Sequence, residues 1–291
     1  MRTLIRYTLL LILIYVGSTV YFYHLSENQK IELEKEALIK KELSFLEQSQ
    51  QNIQSGHVKS YRNKESFHSK DLDEAISHIE GHSKASNFVW QDHTGTTFAY
   101  AARGVDKNYY FANSYLIGFQ PYETNKLWQP LVTLAIKKTY QFDQEQYGHK
   151  WQDIWQNSYQ AYLFSYGDCE DHAILLADWL IEMGYDARVV IGRVPSGGHA
   201  WVILFHKGKE YLLEATDKRR PRSLGDFKLA KYAPEYQPKY QFNRTRFWAY
   251  TGANLTTRYS GANWIEASSY FPDSPWQATY KEASLAHPPR Q

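Results

Sequence analysis

Three residues of the chain have the types and the order of a nucleophilic site. Cys169 is the only cysteine among the 291 residues, and it stands where a helical pattern begins. His199 and Glu214 follow in two strand-like runs. A thiol nucleophile, an imidazole base and a carboxylate that orients the imidazole are the parts of a cysteine-dependent triad. We therefore predict that Cys169, His199 and Glu214 form such a triad.

The position of Cys169 favours a reactive thiol. Residues 173–183 carry an apolar face, and Gly184 is a typical helix stop. The free N–H groups and the positive dipole end at a helix start favour a thiolate. The position alone is weak evidence, because a lone cysteine near a helix is often an inert buried residue. His172, three residues after Cys169, could also contact it, but a histidine on a helix surface commonly has no chemical role.

A predicted β-hairpin brings the imidazole and the carboxylate to one face of a sheet. A tight turn after Lys207 places His199 opposite Thr216. Because side chains alternate between the faces of a strand, Glu214 then lies diagonally beside His199. Asp217 points to the other face unless the strand contains a bulge. Glu214 is therefore the predicted orienting carboxylate, and Asp217 is the alternative third member.

The composition excludes several other classes of function. Lys and Arg number 33 against 31 Asp and Glu, so the net charge is +2 and no cation surplus is available for a nucleic acid. One cysteine cannot form an internal disulfide or a cysteine-rich zinc site. The sequence also contains no Gly-rich phosphate loop, no H-E-x-x-H pattern and no G-x-S-x-G pattern. Aromatic residues make up 16% of the chain, which predicts that most of its length folds.

The first part of the chain predicts a membrane anchor and a stalk. Residues 7–26 lack a full charge and are long enough for one helical crossing, so residues 1–26 are interpreted as a signal anchor. Arg2 and Arg6 favour a cytoplasmic N-terminus, which puts the remainder outside the cytoplasm, in the periplasm of a bacterium. A cleaved signal peptide is the alternative, although the run has no small-residue cleavage pattern. Residues 27–56 predict a charged helical stalk and a polar linker.

The remaining residues, 57–291, predict one folded domain. A strand, a turn and a second strand are expected across residues 88–100, and a helix is expected over 126–140. Residues 221–291 are rich in Tyr, Trp and Pro without clear periodicity. We expect them to wrap the domain as loops and short strands.

The chemistry-bearing motifs resemble those of the transglutaminase-like core. They are Gly167-Asp168-Cys169-Glu170-Asp171, then Gly184-Tyr185-Asp186-Ala187-Arg188-Val189-Val190 after the helix, then His199-Ala200-Trp201-Val202, and finally Leu213-Glu214-Ala215-Thr216. The resemblance covers about residues 130–220. It implies an α+β, papain-like fold in which the helix that bears the cysteine packs on an antiparallel sheet, with a Cys-His-Asp triad. This chain departs from the pattern at Glu214, where the family usually has Asp.

The segment around Cys169 also resembles a subgroup of that family, the bacterial transglutaminase-like cysteine proteases of the periplasm. In that subgroup, carboxylates that flank the nucleophile bind calcium. The resemblance implies Asp168 and Glu170 as calcium ligands, which suits an extracytoplasmic protein. Calcium binding is therefore possible, but the sequence favours the interpretation in which the same acidic residues cap the helix start. No other cofactor is expected.

Together, the residues and the resemblance predict a membrane-anchored cysteine hydrolase. Its substrate would be a protein or peptide, and it would cleave a peptide or isopeptide amide bond through a thioester. A protein-glutamine acyltransferase forms the same thioester and is one alternative, because water or an amine can resolve it. A non-catalytic, tethered binding module is the other. The presence of both Cys169 and His199 argues against the binding module.

Overall fold

The computed structural model describes most of the predicted folded domain. The described residues are 53, 55–62, 64–80, 87–151 and 153–274. The predicted anchor at 7–26 and nearly all of the predicted stalk and linker lie outside them. Within these ranges, no helix combines the length and the apolarity that crossing a membrane requires.

Five α-helices and fifteen strands make up the described part of the chain. The helices are α1 Leu72–Glu80, α2 Gln129–Lys137, α3 Asp143–Tyr147, α4 Ser158–Leu163 and α5 Cys169–Glu182. The strands are β1 Gly56–Ser60, β2 Ser66–His68, β3 Asn87–Gln91, β4 Thr97–Gly104, β5 Tyr109–Phe111, β6 Thr139–Tyr140, β7 Ile154–Trp155, β8 Tyr166–Gly167, β9 Asp186–Val194, β10 Gly197–His206, β11 Lys209–Leu213, β12 Lys228–Leu229, β13 Gln237–Phe242, β14 Arg246–Tyr250 and β15 Trp264–Pro272. The strand pair predicted across 88–100 is β3 and β4, and α2 is the helix predicted over 126–140.

A nine-stranded antiparallel sheet forms the centre of the fold. Its strand order is β12-β11-β10-β9-β13-β14-β15-β1-β2. A smaller sheet contains β3, β4 and β5, with β7 paired parallel to β4, and β6 pairs parallel to β8. The predicted α+β class with an antiparallel sheet is confirmed.

The C-terminal region differs from the expected wrap of loops and short strands. Strands β13, β14 and β15 lie inside the large sheet, and β13 pairs directly with β9. Both faces of these strands are covered, because Phe242 and Phe247 pack in the main core while Trp248 packs in a second cluster on the opposite side. Burial on both faces removes the polar–apolar alternation by which a strand is recognised.

Helix α5 packs on the sheet and is buried along almost its whole length. It lies against β9 and β10, and Ala173, Ala177 and Leu180 are fully buried in the main core together with Val202 of β10. Trp201, the next residue back along β10, packs in the second cluster on the other face. This strand alternation lets β10 support α5 on one side and the C-terminal segments on the other.

A buried ion pair holds α5 to the connection between β13 and β14. Asp178 is fully buried, and Arg244 donates to its Oδ1 at 2.6 Å and to Glu182 Oε1 at 2.6 Å. The other Asp178 oxygen accepts from the Gly118 backbone N–H at 3.0 Å and from the Ser158 hydroxyl at 2.5 Å. Both oxygens of this buried carboxylate are therefore satisfied, and the helix that carries Cys169 is fixed to three other segments.

We predict that Arg244→Met destabilises the fold by about 3 kcal/mol, because it leaves a buried carboxylate without its cation. Arg246→Met is the matched control, since Arg246 is 55% exposed and lies 3.5 Å from Glu266. An exposed pair of this kind contributes less than about 1 kcal/mol. Urea unfolding of the two variants measures the difference, and equal losses would contradict the role assigned to Arg244.

Candidate active site

Cys169 is the first residue of α5, and only Asp168 separates it from the end of β8. Asp168 and Asp171 form a capping box there, in which the Asp168 backbone N–H donates to Asp171 Oδ2 at 3.3 Å. Asp171 Oδ1 accepts from the Gln156 backbone N–H at 2.7 Å. A Cβ on Gly167 would stand 2.8 Å from Asp171 Oδ2, so the close approach of strand to helix requires glycine at this position. These contacts fix the point at which the helix starts and thereby the position of the thiol.

Glu214 lies beside His199 and is held by several donors. His199 Nε2 is 2.8 Å from Glu214 Oε2, and the Tyr236 hydroxyl donates to the same oxygen at 2.9 Å. Thr216 donates to Glu214 Oε1 from its backbone N–H at 3.1 Å and from its hydroxyl at 2.7 Å. Burial would raise the pKa of Glu214, but the hydrogen bonds from His199 and Thr216 outweigh it and hold the pKa below its usual value. The side chain is thus an ionised acceptor.

The ionised carboxylate determines which nitrogen of the imidazole carries the proton. A carboxylate without a proton can only accept a hydrogen bond, so His199 Nε2 must be the donor. In the neutral ring Nδ1 then has a free lone pair and can act as the base. The structure therefore gives His199 the tautomer that the predicted chemistry needs.

The hairpin that positions His199 has the predicted register. Val202 pairs with Leu213, and the ladder ends at His206 and Lys209 around a two-residue turn. Both turn residues, Lys207 and Gly208, have positive φ, as the tight hairpin turns of antiparallel strands require. The ladder stops at Leu213, so Glu214 is the first residue beyond it.

Asp217, the alternative third member of the triad, makes its contacts with Arg219. Its Oδ1 accepts from the Arg219 backbone N–H at 2.9 Å, and its carboxylate pairs with the Arg219 side chain. In the part of the chain that the structure describes, its carboxylate has no hydrogen bond to His199. The structure thus brings His199 together with Glu214 and not with Asp217, while the catalytic role of each stays a prediction.

Strand β10, which carries His199, packs against the helix that begins at Cys169. The backbone N–H of Ala200, the residue after His199, lowers the pKa of the Cys169 thiol. The thiol itself donates to Glu170 Oε2 at 3.3 Å. Among the hydrogen bonds of the described residues, Cys169 has none to the His199 ring. The elements that carry the nucleophile and the base are thus in contact, with the thiol proton turned towards Glu170.

The state of the sulfur differs from the thiolate that the helix start predicted. Burial and then the negative charge of Asp168 raise the pKa of Cys169 to about 12, although the hydrogen bond to Glu170 and the nearby N–H of Ala200 lower it. Burial and the charge of Asp168, which the prediction from the helix start did not include, outweigh the effect of the helix end. The sulfur is therefore a protonated thiol.

Five acidic residues form a cluster next to Cys169, and we call it the acidic cluster. Its members are Asp143, Asp153, Asp168, Glu170 and Asp171, and single oxygens of Asp143, Asp168 and Asp171, or of Asp143, Asp153 and Glu170, lie within 4.8 Å of one another. Burial and then neighbouring carboxylates raise the pKa of Asp143 to about 8. Burial is also the main cause that raises the pKa of Asp168, to about 6. The protein therefore buries several carboxyl groups side by side, although they repel one another when they are ionised.

Two oxygens of the acidic cluster have no partner. Asp143 Oδ1 and Asp168 Oδ1 are buried and make no hydrogen bond among the described residues. The capping box explains why Asp171 is acidic, but it leaves Asp168 Oδ1 unused and does not involve Glu170. An orphaned carboxylate oxygen is the group that a hard cation such as Ca²⁺ binds. The residues present therefore fit a calcium ion, and helix capping alone does not account for them.

Four residues of the site have no signal in the local sequence pattern. Tyr140 of β6 pairs with Gly167 of β8, and burial together with the nearby Cys169 raises the pKa of its hydroxyl. Tyr236 reaches Glu214 from the segment before β13. Asp143 and Asp153 join the acidic cluster from α3 and from the residues just before β7. Asp143 and Asp153 could have been suspected only because they are acidic residues that lie a short distance before Cys169.

His172, the other histidine near Cys169, is part of the core. It is fully buried, and neither ring nitrogen has a hydrogen bond among the described residues. Burial and then the charges of Lys138 and Lys218 hold the pKa of His172 well below its usual value. It is a neutral packing residue under Tyr140, whose ring centroid lies 6.2 Å away.

Comparison with known proteins identifies a peptidase-like segment. Residues 153–262 match the sequence model of the CEP76 peptidase-like domain. This segment is peptidase-like. It contains Cys169, His199 and Glu214, whereas Tyr140 and Asp143 lie before it.

Solved structures of Legionella pneumophila LapG are also similar to this chain. Calcium-bound LapG is 18% identical, with a TM-score of 0.36 over 53% of this chain and 83% of LapG. EGTA-treated LapG is 18% identical, with a TM-score of 0.36 over 50% of this chain and 77% of LapG. A third LapG structure is 18% identical, with a TM-score of 0.35 over 47% and 74%. No curated protein sequence matches the chain.

We predict that Glu214→Gln slows labelling of Cys169 by a peptidyl acyloxymethyl ketone at least about tenfold. Glutamine keeps the shape of the side chain but loses the charge that fixes the imidazole tautomer and stabilises the imidazolium. Asp217→Asn is the matched control, and we expect its labelling rate to stay within about twofold of the wild type. A slow Asp217→Asn with a near-normal Glu214→Gln would reverse the assignment of the orienting carboxylate.

Proposed function

We propose that this protein is a cysteine hydrolase that cleaves peptide or isopeptide amide bonds. The observation that carries the proposal is the 2.8 Å contact between His199 Nε2 and Glu214 Oε2, at the start of the strand against which the Cys169 helix packs. The peptidase-like match over residues 153–262 supports it at the level of a general activity. A binding module would have no need for this arrangement of thiol, imidazole and carboxylate.

The proposed mechanism begins with a proton transfer. The Cys169 thiol gives up its hydrogen bond to Glu170, its S–H bond breaks and the proton passes to Nδ1 of His199. The resulting imidazolium is stabilised by the ionised Glu214. The thiolate adds to the amide carbonyl carbon, and the C–N bond breaks as His199 returns the proton to the leaving amine. The acyl group then remains on Cys169 as a thioester. Water, deprotonated by His199, attacks the thioester and releases the acid and the free thiol.

Acyl transfer to an amine shares every step before the thioester is resolved. Its products differ, because the acyl group then ends on the amine nitrogen and no acid is released. Adding a fluorescent primary amine to the reaction separates the two outcomes. Amine incorporation in place of hydrolysis would make the protein an acyltransferase built on the same triad.

We predict that Cys169→Ala and His199→Ala each lower peptide cleavage at least about 100-fold while leaving the fold intact. Residues that act as one unit lose comparable factors when either is removed. His206→Ala is the matched control, because His206 lies at the far end of the same strand against Tyr185. The measurement is mass spectrometry of a complex peptide mixture incubated with each full-length variant. If Cys169→Ala cleaved the mixture like the wild type, the proposed function would be wrong.

We also propose that the acidic cluster binds calcium. Asp168 and Glu170 would hold the ion together with Asp143 and Asp153, whose oxygens lie in the same groups. When bound, the ion supplies positive charge that offsets the carboxylates beside the Cys169 thiol. Asp168 and Glu170 would thereby link the metal to the nucleophile that stands between them in the chain.

The expected result of adding about 5 mM CaCl₂ to the chelator-treated protein is a melting temperature several degrees higher, because a ligand that binds only the folded state stabilises it. The double variant Asp168→Asn with Glu170→Gln should show no such rise. Asp186→Asn is the control, since Asp186 is exposed and pairs with Arg188 on β9. An equal rise in the wild type and the double variant would place the calcium elsewhere.

We also propose that a membrane anchor precedes the folded domain. It rests on Arg2, Arg6 and the uncharged run at 7–26, which favour a single-pass protein with its peptidase-like segment outside the cytoplasm. A reporter that is active only outside the cytoplasm should be active when fused after residue 274. Activity of a cytoplasm-specific reporter at the same position would contradict the orientation.

A further inference from the structure

Glu214 contacts the imidazole from a position that strand pairing does not fix. The ladder between β10 and β11 ends at Leu213, so the backbone of Glu214 already lies beyond it. The Glu214 side chain is long, and 16% of it is exposed. Rotation of the side chain and hydrogen bonds from water can therefore both compete with its contact to His199. Contacts from other side chains must hold the carboxylate in place.

Two residues besides His199 hold the carboxylate oxygens. Thr216 donates to Oε1 from its N–H and its hydroxyl, but it lies only two residues further along the same turn. Tyr236 lies 22 residues further along the chain, and its hydroxyl donates at 2.9 Å to Oε2, the oxygen that lies 2.8 Å from His199 Nε2. Burial and then the charge of Glu214 raise the pKa of Tyr236, so the hydroxyl keeps its proton and stays a donor. Tyr236 thus fixes Oε2 to a second segment of the protein.

Tyr236 and His199 are supported by the same tryptophan. Trp201 is fully buried and lies two residues after His199 on β10, so both side chains are on one face of the strand. The His199 ring stacks on Trp201 with a centroid distance of 6.1 Å. The Tyr236 ring packs edge-on against Trp201 with a centroid distance of 5.1 Å. The two groups that share Glu214 Oε2 are therefore held in a fixed relation to each other, as precise positioning requires.

We propose that Tyr236 is a positioning residue of the triad, and that its hydroxyl keeps Glu214 Oε2 where it accepts the hydrogen of His199 Nε2. By holding that contact, Tyr236 keeps the tautomer in which Nδ1 is the base. In the proposed mechanism Tyr236 does not touch the reacting atoms and acts through Glu214. The inference rests on the proposed function, because the triad belongs to it, and it adds a residue on which the triad depends.

The test measures how fast Cys169 of the full-length chain is labelled by the peptidyl acyloxymethyl ketone. Cys169 is the only cysteine, so every label reports on it. Tyr236→Phe should lower the maximal rate constant of labelling at least about fivefold, because a hydrogen bond to a charged group is lost. The ring remains, so the half-saturating concentration of the reagent should change less than about twofold.

Tyr250→Phe is the matched control. Tyr250 and Tyr236 are both partly buried against the second cluster, and the Tyr250 hydroxyl donates at 2.7 Å to the Asn254 carbonyl oxygen. Each variant keeps an aromatic ring and loses one hydrogen bond, so we expect similar small changes in melting temperature. Tyr250→Phe should keep the labelling rate within about twofold of the wild type, because its hydroxyl does not bind the triad.

A double-mutant cycle separates positioning through Glu214 from a general structural effect. If Tyr236 acts through the carboxylate, adding Tyr236→Phe to Glu214→Gln should slow labelling less than about twofold further. A purely structural role of Tyr236 would instead multiply the two losses, because independent effects add as free energies.

Two results would overturn the inference. One is labelling of Tyr236→Phe within about twofold of the wild type, and the other is multiplied losses in the double variant. Failure of the proposed function is a separate result, since it would show as peptide cleavage that persists in Cys169→Ala. The dependence of Cys169 labelling on Tyr236 and Glu214 could then still hold, because labelling requires no turnover of a substrate.

Discussion

The hydrogen bond between His199 and Glu214 is the contact on which the proposed chemistry depends, and it depends in turn on the register of one hairpin. A slip of one residue between β10 and β11 would send Glu214 to the opposite face of the sheet. The two-residue turn prevents that slip, because Lys207 and Gly208 both adopt positive φ and fix the pairing of His206 with Lys209. A short-range turn preference thus determines the geometry of residues at the far ends of both strands.

The acidic cluster is unusual because it buries several carboxylates next to one another. Asp143, Asp168 and Asp171 are nearly or fully buried, and their carboxylates crowd one another where water cannot screen them. Such an arrangement lowers stability unless the charge is neutralised, and local conflicts of this kind are typical of functional sites. Burial and then the charges of Asp168 and Asp153 keep Cys169 protonated, so the charge of the cluster affects the readiness of the nucleophile.

The sequence predicted the local parts of this site and missed the distant ones. Helix α5, the hairpin of β10 and β11, and the proximity of Glu214 to His199 follow from apolar periodicity, a glycine stop and turn chemistry, all of which act over a few residues. Tyr140 and Tyr236 reach the site only because β6 pairs with β8 and because the chain returns after β12. The placement of β13 between β9 and β14 is equally long-range, and burial on both faces removed the alternation that would have indicated it. The protonation of Cys169 was missed for another reason, since it depends on the summed charge and burial of neighbours that the helix-start argument did not include.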